Sequence, residues 1–146
     1  MTNPEETEEL KLADQFEGDR LVAYQDIRGI WTIGRGHTGP EVHEGMVITQ
    51  EQSDQLYLSD RAAAAHAVDS FVKVPLTDNE KAALTDFVFN CGIGAFRGST
   101  LLTLLNQGNY SKAAEQFDRW DKAGGQMVAG LFRRRQTETE VFDESC

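Results

Sequence analysis

The sequence is poor in cysteine, proline and positive charge, and it has no long apolar run. Two cysteines, Cys91 and Cys146, make no disulfide framework. Cys91 follows an apolar stretch and reads as a small buried hydrophobe, Cys146 as a free thiol at the last position; the sequence leaves a bridge between them open. No apolar run approaches the roughly 20 residues that cross a bilayer, so no membrane segment is expected. The acidic start, MTNPEETEEL, lacks the positive stretch and apolar core of a secretory signal. Against 24 Asp and Glu stand 14 Lys and Arg, a net charge of −10. That balance weighs against nucleic acid as a partner, since phosphates need clustered cations, and it offers no attraction to an anionic surface such as a bacterial wall. Three histidines without a Cys/His cluster give no metal motif; His37 and His43 lie six apart, a spacing that fits no compact ligand set.

What is present suits one folded domain. The 146 residues, 40% of them hydrophobic, are enough for a buried core. Residues 3 to 18 read as a helix, with Asn3 as cap, Pro4 at the first helical position, Glu5 and Glu6 at the positive end of the dipole, and Gly18 as the stop. This puts Glu17 in the last helical turn. The pattern then changes: RLVAYQD and GIWTIG, split by IRG, are rich in β-formers and predict a small antiparallel sheet across 20 to 43. Helical periodicity returns afterwards. Thr49 with Gln52 forms a capping box opening a helix to about Phe71, and Thr77 with Glu80 opens a second, which Gly92 would end. Ser99 to Gly108, SKAAEQFDRW and VAGLFRRRQTETEVF predict three more. The expected architecture is α+β: a small lobe at about 14–48, a connecting helix at about 50–71 and a helical lobe at about 76–142, with a cleft between the lobes.

Several side chains invite chemistry. Glu17 and Asp26 are a carboxylate pair at the junction of helix and sheet, and two carboxylates across a cleft suit glycoside hydrolysis. Thr32 places a hydroxyl on a strand, where it can share a water with Asp26. Residue types alone leave open that Glu17 is a solvated helix-end residue and Asp26 a turn residue. Arg133, Arg134 and Arg135 form a basic run that sweeps about 300° of a helix, so one should point inward and need an acidic partner. Trp31, Trp120 and Phe89 suit either stacking on sugar rings or the core.

The stretch EGDRLVAYQDIRGIWTIGRGHT resembles the phage-type lysozymes, the endolysin muramidases of glycoside hydrolase family 24, through its Glu–x8–Asp–x5–Thr spacing and the TIGRGHT that follows. LTDNEKAALTDFVFNCGIGAFRGSTLLTLLNQGNY resembles the family's central helices, and GLFRRRQTETEVF its last helix. The likeness runs from about residue 10 to about 142. It implies a lysozyme-like fold and hydrolysis of the β-1,4 bond between N-acetylmuramic acid and N-acetylglucosamine in peptidoglycan, with no metal or cofactor, by a monomer. It implies Glu17 as general acid, Asp26 and Thr32 as holders of the attacking water, and an inverting course. By the same resemblance Arg134 pairs with Glu17, His37 pairs with Asp60 and has its pKa raised, and Thr38, Phe89 and Ser99 line the saccharide cleft. Many relatives are basic and some carry an N-terminal export segment. This chain is acidic and its start shows no such segment, so passage from host cytoplasm to periplasm through a membrane lesion is expected. A lytic transglycosylase or chitin-type activity in the same cleft, and a non-catalytic saccharide-binding relative, are the alternatives.

Overall fold

The computed structural model describes residues 18–123 and 126–144. The helix expected over 3 to 18, Glu17 within it and Cys146 therefore lie outside the described residues.

Three short strands come first: β1 (Arg20–Gln25), β2 (Trp31–Gly34) and β3 (His37–Thr38), antiparallel in the order β1-β2-β3. Open and half-buried positions alternate over the first four residues of β1, whereas β2, the central strand, is closed along its length. The register pairs Tyr24 with Thr32 and Thr32 with Thr38, so these three side chains form one row on one face. A bulge between Arg20 and Tyr24 bends β1. Ile33, Val42 and Ile48 make a small core beneath the sheet, with Leu21, Ala23, Trp31, Met46 and Leu56 packed against it.

Helix α1 (Gln50–Phe71) leaves this sheet and enters the helical part. Its 22 residues span about 33 Å. Both bonds of the Thr49–Gln52 capping box are formed. Ser53, Tyr57, Arg61, Ala64 and Val68 are its buried stripe, spaced by three or four as a helix buried on one side requires. Leu56 packs against the small core, and Ala64, Ala67 and Val68 belong to the large one. One rigid element thus fixes the sheet against the helices.

The rest is helical: α2 (Asp78–Cys91), α3 (Ile93–Arg97), α4 (Thr100–Asn106), α5 (Tyr110–Glu115), a 3-10 turn (Phe117–Trp120) and α6 (Ala129–Asp143). Thr77 and Glu80 cap α2 reciprocally, and Gly92, at φ +103°, lets the chain turn into α3. Phe87 is the centre of the large core, with edge-to-face contacts to Phe96, Phe117 and Trp120. Two elements depart from the expected pattern. The stretch expected as a single helix over SKAAEQFDRW is α5 followed by the 3-10 turn, which swings Phe117 into the core. A two-stranded ribbon, β4 (Lys122–Ala123) with β5 (Gln126–Met127), precedes α6. Its sequence signal is the dipeptide Gly124-Gly125, a hairpin marker between strands too short to show alternation.

Candidate active site

Asp26 follows β1 directly and begins the turn to β2. Its backbone N–H donates to Ile30 O at 2.9 Å, and Gly29 N–H donates to Asp26 O at 2.9 Å, with Gly29 at φ +81° where a side chain would be strained. The carboxylate caps the turn from inside: Oδ1 accepts the N–H groups of Arg28 (2.8 Å) and Ile30 (3.0 Å), and Oδ2 accepts Arg28 Nη2 (3.1 Å). Burial favours the neutral acid, but the Ile30 and Arg28 N–H groups and the Arg28 charge outweigh it and hold the group below its ordinary value. Asp26 is therefore a positioned, ionised carboxylate.

Thr32 follows on β2. It is buried, and its hydroxyl donates to Ile30 O at 2.9 Å. Ile30 links the pair: its N–H holds Asp26 and its carbonyl accepts both the Asp26 N–H and the Thr32 hydroxyl. One turn thus brings Asp26 and Thr32 into a shared hydrogen-bonded unit.

Thr38, beside Thr32 in the row, opens into a depression walled by Gly36, Asp60, Ala63, Val88, Phe89 and Ile93 among others, with about 210 Å³ open to water. Asp26 and Thr32 lie on the adjoining hairpin, outside that wall. Phe89 stands edge-on to Tyr57 at 5.7 Å between ring centres and lies under the Arg61 guanidinium at 4.7 Å. Ser99 does not reach the depression. It is buried, its hydroxyl donates to Phe96 O at 2.7 Å and accepts from Leu102 N–H at 3.1 Å, so it serves as the cap of α4. Trp120 is committed to the large core through Phe87 and Trp31 packs against the small one.

His37 is clasped by two carboxylates: Nδ1 lies 2.8 Å from Asp60 Oδ2 and Nε2 2.7 Å from Glu41 Oε1. Burial opposes the charged ring, but Glu41 and Asp60 overcome it and raise the pKa above 6.5. The contact to Asp60 ties β3 to α1 across the depression. His43 Nδ1 bonds Glu41 O at 2.8 Å. Among the described residues no group of three His, Cys, Asp or Glu side chains is arranged to hold a metal ion.

Beneath Phe89 lies a buried charge cluster. Arg134 forks onto Asp86, with Nε 2.9 Å from Oδ2 and Nη2 2.8 Å from Oδ1, and Arg61 Nη1 reaches Oδ1 at 3.0 Å. Arg135 grips Glu138 at 2.7–2.8 Å and donates to Cys91 Sγ at 2.6 Å. Two of the three consecutive arginines point inward, not one as the helical sweep suggested: Arg134 and Arg135 are buried and Arg133 is exposed. Two inward arginines are tolerated because α2 supplies Asp86 and α6 itself supplies Glu138 one turn on. The expected partner of Arg134, Glu17, lies outside the described residues. The arginine pairs hold Asp86 well below the carboxylate range against its burial. Burial, with the hydrogen bond to Asp86, pushes Glu138 up. Burial raises the Cys91 thiol to about 11, which makes it an inert thiol.

Sequence reasoning missed Asp19, Arg28, Asp86 and Glu138. Asp19 pins the start of β1 to α1, accepting Ser53 Oγ and Gln50 Nε2, both at 2.6 Å. It stands two residues beyond Glu17 in the chain. Asp86 had a signal, a lone acid inside the apolar run ALTDFVF. For Asp19 and Arg28 the partners come from turn geometry and from 31 to 34 residues away, which no local pattern encodes.

A small sheet joined by one long helix to a helical lobe, with an ionised aspartate on the sheet's hairpin beside a cleft, is the architecture of a lysozyme-type protein. The phage lysozyme family model matches residues 14–138, and the chain belongs to that family. It is 48% identical over 124 residues to the endolysin of Salmonella phage P22, covering 82% of this chain and 85% of that protein. Against the endolysin of Bacillus phage B103 it is 40% identical over 135 residues, 91% of this chain, and spans about half (51%) of that relative's length. Among solved structures, the muramidase domain of SpmX from Asticaccaulis excentricus superposes with a TM-score of 0.80 at 38% identity, over 94% of this chain and 95% of that one. The fold is the α+β lysozyme fold. No described helix is long and apolar enough to cross a membrane.

Proposed function

We propose that this chain is a single catalytic domain that hydrolyses the β-1,4 bond between N-acetylmuramic acid and N-acetylglucosamine in peptidoglycan, acting as a bacteriolytic endolysin. Glu17 is the general acid that protonates the glycosidic oxygen. Asp26, ionised, takes the proton of the attacking water, and Thr32 helps hold that water. The single observation that carries the reading is the state of Asp26: a carboxylate fixed by two backbone N–H groups and one guanidinium cannot serve as a proton donor, but it suits a base. The family match and the Glu17–x8–Asp26–x5–Thr32 spacing support the assignment of the acid to Glu17. Thr38 and Phe89 line the glycan's path, and the His37–Asp60 contact keeps that path's two walls in register. The enzyme works as a monomer, without metal or cofactor, and passes from host cytoplasm to periplasm on lysis.

The inverting course follows if water attacks from the face opposite the leaving group, which needs about 6.5–9.5 Å between the two carboxyls. Digestion of purified peptidoglycan with end-group analysis tests the reaction. New reducing ends are expected, the first-formed product carrying the inverted anomeric configuration; anhydromuramic ends instead would mean a transglycosylase. Glu17→Gln and Asp26→Asn should each abolish release of ends with the fold intact, and substantial activity in either would falsify the assignment of that residue.

A further inference from the structure

We propose that Arg28 is a positioning residue for this reaction: its guanidinium restrains the outer oxygen of Asp26, so that the carboxylate meets water in one orientation and in its ionised form. The inference rests on the role of Asp26 given above. Oδ1 of Asp26 is spent on two backbone N–H groups. Oδ2 is the oxygen left to take a water, and Arg28 Nη2 sits 3.1 Å from it. The fold does not require that contact. The turn is already closed by the Gly29 N–H to Asp26 O and Asp26 N–H to Ile30 O bonds and by the cap on Oδ1. The Arg28 side chain is 53% exposed, and an ion pair in that setting adds little to stability. An arginine that the turn does not need, placed on the working oxygen of the proposed base in a chain of net charge −10, acts on the carboxylate itself.

Among the described residues Arg28 makes the one ion pair to Asp26; the other contacts to its carboxylate are the two backbone N–H groups, from the turn itself. Removing the guanidinium therefore leaves Asp26 capped but loosens Oδ2 and removes the nearest positive charge. Asp26 is active when ionised, so activity fails as pH falls through its pKa. Losing a charge that lowers that pKa moves the failure to higher pH.

The test compares wild type, Arg28→Gln, Arg28→Lys and Asp26→Asn on purified peptidoglycan across pH, with the Asp26 carboxyl carbon titrated by NMR in the first three. Arg28→Gln should lower kcat several-fold with little change in KM, shift the acid limb of the profile upward and shift the Asp26 titration with it. Arg28→Lys, which keeps the charge, should restore the acid limb in part, and both variants should keep the wild-type Tm. An unmoved acid limb and titration in Arg28→Gln, or a kcat loss that tracks a fall in Tm, overturns the inference. If Asp26→Asn is inactive while Arg28→Gln is unchanged, the inference alone falls. If Asp26→Asn is active, the reading of Asp26 falls and takes this one with it.

Discussion

Asp86→Asn should be among the most damaging single changes in the described part of the molecule, although Asp86 touches no substrate in the proposed mechanism. The carboxylate is fully buried and receives three guanidinium nitrogens at 2.8–3.0 Å from two arginines that are themselves almost fully buried. An asparagine keeps the shape but supplies one neutral acceptor, and its NH2 group faces donors. Two buried cations then lose the carboxylate they share, and removing one partner of a buried ion pair costs about 3–5 kcal/mol. Set against a total stability of roughly 5–15 kcal/mol, this is a large fraction. At about 2–4 °C per kcal/mol for a chain near this size, Tm should fall by roughly 6–20 °C. Urea unfolding followed by circular dichroism at neutral pH measures the loss directly. Two variants act as controls. Asp69→Asn breaks an ion pair with Lys81 of the same length (3.0 Å) whose carboxylate side chain is 59% exposed, and should cost less than about 1 kcal/mol. Glu138→Gln keeps a donor toward Asp86 and an acceptor toward Arg135, and should cost less than Asp86→Asn because the folded protein already favours the protonated form of Glu138. The Asp86 contribution also has a pH signature. Its folded pKa is depressed, so the contribution is complete above the unfolded value of 3.8 and declines only as pH falls below it. The difference between wild type and Asp86→Asn should be flat from neutral pH to about pH 5 and shrink in stronger acid. A loss no greater than that of Asp69→Asn would refute the picture of a dry, hydrogen-bonded charge cluster under Phe89.

The His37 clasp has the opposite sign: its folded pKa is raised, so its stabilisation is complete below 6.5 and is lost as pH rises through the folded value; Tm should drift down over that alkaline range in wild type and not in His37→Gln. Thr77→Ala removes the α2 cap that accepts Glu80 N–H at 3.0 Å and should cost about 1 kcal/mol in chemical unfolding, an unchanged midpoint arguing against a functioning capping box. Because the net charge is −10, lysis of outer-membrane-permeabilised cells should speed up as salt rises from about 10 to 150 mM, where the screening length falls from about 30 to 8 Å; a rate that falls monotonically with salt would show that local cationic contacts dominate the encounter.

Local signals foretold the fold wherever one residue's chemistry decides the backbone. Thr49, Thr77, Ser99, Gly92 and Gly108 mark helix ends because caps and positive φ are set within four residues. The ribbon before α6 and the 3-10 turn after α5 escaped because each is too short for its period to repeat. The site divides along the same line. Residue types alone leave Asp26 as a turn residue; the Glu17–x8–Asp26–x5–Thr32 resemblance singles it out with Thr32, and such a spacing can persist because the hairpin is itself local, closed by bonds spanning two to four residues. Asp86 is marked only as a lone acid in an apolar run; its partners Arg61 and Arg134, 25 and 48 residues away, are not legible, since a buried pair is specified by packing and not by spacing. Ser99 shows the limit from the other side. A position inferred by resemblance to line the cleft has its hydroxyl bonded twice within its own helix start and is buried, so burial keeps a sugar from it in this arrangement. The proposed base is therefore within reach of the chain's own pattern, whereas the Arg28 side chain that grips it and the charged floor that carries Phe89 become visible only in the folded structure.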